Sequence, residues 1–117
     1  MTQATALALT LVMETGAAAL WWTTTRVERP PLVRLLLTAV CVSLLTHPLA
    51  WWANHALVGE LARWTRVGVI ETSVVVAEAL LYLALVPLSR ARALTLSILA
   101  NATSFGLGLV ILALLRG

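Results

Sequence analysis

The chain has 117 residues, of which 61% are hydrophobic and 11% are charged. Soluble domains are about 45–50% apolar and about 25% charged, so this composition excludes an ordinary soluble domain, and it excludes a disordered or disulfide-rich chain as well. The net charge is +3, but the basic residues are arginines spread over short connections between apolar runs. That distribution favours membrane topology and predicts no nucleic-acid partner.

Four apolar runs are long enough to cross a bilayer as helices, which takes about 20 residues each. They are predicted over residues 2–22, 31–52, 67–86 and 93–115. Pro30 and Pro31 stand where the second run begins, and Pro87 stands where the third run ends, as is typical of helix boundaries. We therefore expect an all-α fold, an integral membrane four-helix bundle with short loops, and a single transmembrane domain over residues 1–117.

The connections and span ends carry further signals. Residues 53–66 form the longest connection, and their apolar side chains recur at helical spacing, which predicts a short helix lying in the membrane surface. The pairs Trp21-Trp22 and Trp51-Trp52 fall at predicted span ends. Indole rings favour the headgroup region, so we expect these rings to lie there.

The arginines are divided unevenly between the two sides of the predicted bundle. Five lie in or beside the first and third loops and three lie on the other side: Arg26, Arg29, Arg34, Arg90 and Arg92 against Arg63, Arg66 and Arg116. Because cytoplasmic loops carry the excess of basic residues, both termini are predicted to lie outside. The expected location is the cytoplasmic membrane of a bacterium.

Three glutamates fall inside predicted spans, where a charged side chain costs about 2.5–3.5 kcal/mol. Glu71 and Glu78 are seven residues apart, which places them within about 20° of each other and about 10.5 Å apart along the helix. Tyr82 continues the same face one turn further on. Spaced carboxylates can relay protons or bind a cation. The alternative is that Glu71 reaches the membrane surface and Glu78 only bonds a neighbouring helix.

Two further polar residues are predicted to join this interior. His47 precedes Pro48 and lies level with Glu71, which predicts a pair that relays protons or supplies two ligands to a metal ion. The alternative for His47 is a hydrogen bond that only holds two helices together. Glu14, midway along the first span, is expected either to share the interior of Glu78 or to be a protonated structural residue. Apart from a metal ion at His47 and Glu71, no cofactor is expected.

Small and polar residues recur along one face of the fourth span: Ser97, Ala100, Asn101, Ser104 and Gly108. Rows of small residues let helices approach closely, so helix packing is predicted for Ser97, Ala100, Ser104 and Gly108. Asn101 is expected either to belong to this face or to hydrogen-bond Glu78 within a pathway.

The architecture resembles that of the small multidrug resistance transporters, which are four-span chains with a glutamate midway along the first helix. Glu14 occupies that position. The resemblance implies a dimer that exchanges protons for cationic substrates at paired glutamates, with Glu14 as the matching residue. The pattern of that family after the glutamate and in its third helix is missing here, and Glu71, Glu78 and His47 have no counterpart in it.

Two functions are predicted from these residues. The first is a proton-linked or cation or small-solute transporter or channel, in which six residues form or support a polar track: Glu78, Glu71, His47, Glu14, Asn101 and Tyr82. The second is an accessory or assembly subunit of a larger membrane complex, with the polar residues bonding helix to helix. Both functions imply that the chain contacts the lipid bilayer. Both also imply that it associates with further copies of itself or with other membrane subunits. No catalytic motif is found, so an enzyme is not expected.

Overall fold

The computed structural model describes residues 2–117, and within that range the chain forms four helices and no β-strand. The helices are α1 (Gln3–Thr24), α2 (Leu32–Ala56), α3 (Arg63–Leu85) and α4 (Arg90–Arg116). Each is long and apolar enough to span a membrane. The predicted all-α four-helix fold is confirmed.

The helix boundaries follow local chemistry. The side chains of Thr2 and Ser89 cap α1 and α4, each accepting a hydrogen bond from the backbone N–H three residues later. Such caps satisfy amides that have no partner within the helix. Helix α2 begins directly after Pro31, and α3 ends two residues before Pro87. A proline has no N–H and restricts the residue before it, so it marks these limits.

The four helices are arranged in a ring. Each packs against the next and α4 packs against α1, while across residues 2–117 the diagonal pairs make no close backbone approach. The bundle measures 45 × 29 × 20 Å. Because successive helices run up and down, the start of α1, the end of α4 and residues 57–62 share one end, here called the terminal end. Residues 25–31 and 86–89 form the opposite end, here called the loop end.

Large apolar side chains cover the outside of the bundle. Val12 on α1, Leu49 on α2, Leu80 on α3 and Leu114 on α4 are 68%, 66%, 61% and 75% exposed. A continuous apolar surface of this kind is unfavourable in water and matches hydrocarbon. The chain is therefore a multi-pass integral membrane protein whose outer face contacts lipid.

An apolar core fills the half of the bundle at the loop end. Its buried members are Ala18, Trp21, Leu35, Ala39, Val42, Tyr82, Val86, Ala93 and Leu96. Several are alanines, whose small side chains let helix backbones approach closely. Trp21 is only 8% exposed because its ring packs inside the bundle, and the headgroup depth predicted for it stays a prediction. A span end fixes the depth of a side chain, whereas packing fixes which way it points.

Polar contacts fasten the loop end as well. Nη1 of Arg92 donates to the carbonyl oxygens of Val27 (2.6 Å) and Glu28 (3.0 Å), which holds the first loop against α4. Nε of Arg34 donates to the carbonyl oxygen of Leu85 (2.7 Å), the last residue of α3. Carbonyls at a helix C-terminus have no partner within the helix, and an arginine suits them. The loop end is thus closed by both its core and its loops.

Residues 57–62 join α2 to α3 through turns, so the surface helix predicted over residues 53–66 is wrong. Gly59 has a φ of 91°, a conformation that glycine adopts at little cost. Nε of Arg66 donates to Oδ1 of Asn54 (2.8 Å) and ties the two flanking helix ends together. The apolar spacing in this segment belongs to the ends of two membrane helices.

Leu35 and Leu37 on α2 offer a matched test of where the core lies. Leu35 is 0% exposed and Leu37 is 61% exposed. Leu35→Ala opens a void in the core and is expected to lower the free energy of unfolding by about 2 kcal/mol. Leu37→Ala removes only lipid contacts and is expected to change it by less than about 0.5 kcal/mol. Unfolding in mixed micelles, followed by circular dichroism, measures both, and equal losses would contradict this core.

Candidate functional site

A cavity of about 230 Å³ occupies the centre of the bundle and extends toward the terminal end. All four helices line it. Its polar lining consists of Thr10, Glu14, Thr46, His47, Glu71, Glu78, Asn101 and Ser104. Along the bundle the lining reaches from Glu14 and Asn101, near the middle of their helices, to Ala6 and Leu112 near the chain ends. The bundle therefore has a polar cavity in one half and an apolar core in the other.

Glu78 lies at the deep end of the cavity and is 1% exposed. Its Oε1 is 2.6 Å from Oγ1 of Thr46 on α2, and its Oε2 accepts a hydrogen bond from Nδ2 of Asn101 on α4 (2.6 Å). Nδ2 of Asn101 also donates to the carbonyl oxygen of Ser97 (2.9 Å). The predicted contact between Asn101 and Glu78 is present. These two partners of the glutamate are neutral groups, and together they join three helices.

Glu14 is 4% exposed and meets α2 beside Glu78. The hydroxyl of Ser43, itself 1% exposed, donates to Oε2 of Glu14. Ser43 and Thr46 are three residues apart, so the two carboxyls reach α2 at levels about 4.5 Å apart along its axis. Glu14 and Glu78 both line the cavity, which is the shared polar interior predicted for them.

His47 lines the cavity, but no hydrogen bond joins it to Glu71, with which a proton-relaying or metal-binding pair is predicted. Its Nδ1 lies 3.4 Å from Oγ1 of Thr10 on α1, and that oxygen lies 3.5 Å from Oγ of Ser104 on α4. Equal depth on two helices does not make two side chains point at each other. Nε2 of His47 is buried and has no hydrogen-bond partner. No other buried side-chain nitrogen or oxygen within residues 2–117 lacks one. An unpaired buried polar atom costs about 1–3 kcal/mol.

The face predicted from Glu71, Glu78 and Tyr82 divides at the floor of the cavity. Glu71 is half-buried and lines the cavity, about 10.5 Å nearer the terminal end than Glu78. Tyr82 is 1% exposed and packs in the apolar core. Tyr82 does not line the cavity, and its supporting part in the polar track stays a prediction. The polar face ends at Glu78 because the core begins one turn below it.

The small residues of α4 also divide between core and cavity. Ser97 and Ala100 are 0% exposed, and Oγ of Ser97 donates to the carbonyl oxygen of Val75 on α3 (2.7 Å), so both lie in packed contacts. Ser104 and Gly108 line the cavity. A Cβ added at Gly108 would meet no atom within 4 Å. Gly108 therefore borders open space at this level, whereas Oγ of Ser104 lies 3.5 Å from Oγ1 of Thr10 and keeps α4 in contact with α1.

Within residues 2–117, no three His, Cys, Asp or Glu side chains lie close enough together to hold a metal ion. His47 bonds Thr10, and Glu71 lies on another wall of the cavity. A metal ion bound by His47 and Glu71 would thus need further ligands from outside these side chains.

Three hydroxyl residues of the site were not predicted as members of it: Thr10, Ser43 and Thr46. A hydroxyl inside a membrane helix commonly bonds a carbonyl of its own helix, as Ser73 and Thr95 do here. Such residues therefore carry little signal alone. The usable signal was the spacing of Ser43, Thr46 and His47 on one face of α2, which is the face that meets the glutamates.

No family model, curated protein or solved structure matches the chain significantly. The resemblance to the small multidrug resistance transporters rests on architecture and on Glu14.

Proposed function

We propose that the protein is a proton-linked transporter that moves a cation or small solute through its central cavity. The observation that carries this proposal is the pair of acceptors around the Thr46 hydroxyl. Oγ1 of Thr46 lies 2.6 Å from Oε1 of Glu78 and 2.9 Å from the carbonyl oxygen of Val42. A hydroxyl has one hydrogen and can donate to only one of them at a time.

This arrangement lets Glu78 gain or lose a proton without losing its bond to Thr46. When Glu78 is charged, Thr46 donates to it. When Glu78 is protonated, its own hydrogen can be donated to Oγ1 of Thr46, which then donates to Val42. A carboxyl that keeps its partner in both states suits a proton carrier, since neither state breaks the contact between α2 and α3.

The placement of the other carboxyls supports the same function. Glu71 stands nearer the terminal end and Glu14 stands beside Glu78 at the floor, so protons or cations entering the cavity meet carboxyls at two depths. The closed loop end prevents a continuous leak. Because cytoplasmic loops carry the excess of basic residues, we propose that the terminal end faces outward from a bacterial cytoplasmic membrane and that the cavity opens to that side.

Proteoliposomes test this function. The purified chain is reconstituted with a pH-sensitive dye inside, a pH gradient is imposed, and Na⁺, K⁺ or phenethylammonium is added outside in separate runs. We expect at least one cation to speed proton release above the rate in protein-free liposomes. If none does so with folded protein in the bilayer, proton-linked cation transport is wrong.

A second function is favoured by the bonds of Glu78 to both α2 and α4. A glutamate that joins three helices also suits an accessory subunit whose polar residues bond helix to helix. Native mass spectrometry after mild extraction separates the two functions. Stoichiometric association with other membrane proteins favours the subunit, whereas the chain alone or as a homo-oligomer favours the transporter.

A further inference from the structure

The cavity has a polar floor and mainly apolar upper walls. The floor is formed by Glu14, Glu78, Thr46 and Asn101, and its two carboxyls bond α2 at levels about 4.5 Å apart. Nearer the terminal end the walls are apolar side chains of α1 and α4: Ala6, Leu9, Phe105, Leu109, Ile111 and Leu112. An occupant that matches both zones has one polar end and an apolar body.

The charge of the lining selects the sign of that polar end. Three carboxyls line the cavity, and no arginine or lysine of residues 2–117 does so. A charge in surroundings of low dielectric constant needs a partner of opposite sign. The lining therefore suits a cation and disfavours an anion.

The spacing of the carboxyls argues against a bare inorganic ion. Glu71 and Glu78 are about 10.5 Å apart along α3, and no three acidic, histidine or cysteine side chains of residues 2–117 converge on one point. Ca²⁺ takes six to eight oxygen ligands at about 2.3–2.6 Å. An ammonium group needs only hydrogen-bond acceptors for its N–H donors, and a carboxylate has about four acceptor positions. Glu78 therefore keeps acceptor capacity beyond its bonds to Thr46 and Asn101.

From these three features we infer that the occupant is a small organic ammonium ion with an apolar, ring-sized body. Its ammonium group lies between Glu14 and Glu78, and its body lies against Leu9, Phe105 and Leu109. A cavity of 150 Å³ holds benzene, so the 230 Å³ here suits about nine non-hydrogen atoms. The inference rests on the proposed function, for which it names the substrate class.

Titration calorimetry on the purified chain in detergent tests the inference by binding alone. The probes are phenethylammonium chloride, the neutral 2-phenylethanol with the same body, and the chlorides of Na⁺, K⁺ and Ca²⁺. We expect the Kd of phenethylammonium to be at least about tenfold below those of the other probes, and Glu14→Gln to raise it by a similar factor. Equal affinity for 2-phenylethanol, or tighter binding of an inorganic ion, overturns the inference.

Two glycines of α4 provide a matched pair for locating the bound ion. Gly108 lines the cavity and Gly106 is exposed on the outside, and an added Cβ meets no atom within 4 Å at either position. We expect Gly108→Leu to fill the cavity and weaken phenethylammonium binding by at least about tenfold, and Gly106→Leu to bind as the wild type does. Equal binding by both variants overturns the inference.

The binding test and the transport test can fail independently of each other. Proton release driven by Na⁺ or K⁺ without any binding of phenethylammonium would overturn the substrate class and leave proton-linked transport standing. Binding of phenethylammonium without proton movement would uphold the ammonium site and overturn the transport function.

Discussion

Glu78→Gln is expected to reduce cation-driven proton release to the rate of protein-free liposomes while the fold is retained. Glutamine has nearly the same shape and cannot exchange a proton with the cavity. Its amide oxygen can still accept from Thr46, so α2 and α3 stay joined. Only the hydrogen bond from Asn101 has to rearrange, and a bond between neutral groups is worth about 1 kcal/mol. The proteoliposome assay measures the rate, and circular dichroism in detergent measures the fold.

Glu60→Gln is the matched control for this loss. Glu60 is exposed in the connection at the terminal end, so its replacement removes the same charge without touching the cavity. We expect Glu60→Gln to transport at the wild-type rate. Transport by Glu78→Gln at the rate of Glu60→Gln would show that Glu78 carries no proton.

Replacing Thr46 with valine is expected to slow transport by about 10- to 100-fold, whereas Thr46→Ser keeps most of it. Valine preserves the size of the side chain and removes the hydroxyl that stays hydrogen-bonded to Glu78 in both of its protonation states. A hydrogen bond to a charged group is worth about 1.5–3 kcal/mol, which corresponds to that range of rates. Serine restores the hydroxyl with a smaller side chain. The initial rate of proton release in proteoliposomes measures each variant.

A purely structural role of Thr46 gives a different pattern. If the hydroxyl only joined helices, Thr46→Val would lower the unfolding temperature in micelles while the molecules that remain folded transported at the wild-type rate. A hydroxyl elsewhere provides the control: Thr95 is exposed and donates to the carbonyl oxygen of Ala91 in its own helix (2.7 Å). Thr95→Val is expected to leave both the unfolding temperature and the transport rate unchanged.

The fold was predictable because hydropathy and prolines determine it. Water-free hydrocarbon permits helices whose backbone groups are all paired, so four apolar runs become four helices, and Pro31 and Pro87 mark two of their limits. The connection between α2 and α3 was mispredicted because helical spacing of apolar residues does not say whether a segment continues a membrane helix or lies separately on the surface.

The sequence predicts which residues form the site better than it predicts which of them contact each other. A glutamate in a span usually faces the protein interior or a cavity, and for Glu14, Glu71 and Glu78 a shared interior is one of two expectations, as is a bond to Glu78 for Asn101. The rule gives no rotation about the helix axis, which packing of all four helices decides together. For that reason His47 bonds Thr10 instead of Glu71, and Tyr82 joins the core.

The division into a cavity at the terminal end and a closed core at the loop end is tested most directly by cysteine labelling. Cys41 is exposed, so the variants are made in a Cys41→Ser background. Ser104→Cys places a thiol in the cavity, and Ala102→Cys places one at almost the same depth on the exposed face of α4. A membrane-impermeant cationic thiol reagent is added to one side of sealed vesicles at a time. We expect it to modify Ser104→Cys much faster from the side of the termini than from the opposite side and to leave Ala102→Cys unmodified from either side. Equal or faster modification of Ser104→Cys from the opposite side, or equal modification of the two variants, would contradict a resting state in which the cavity opens at the terminal end.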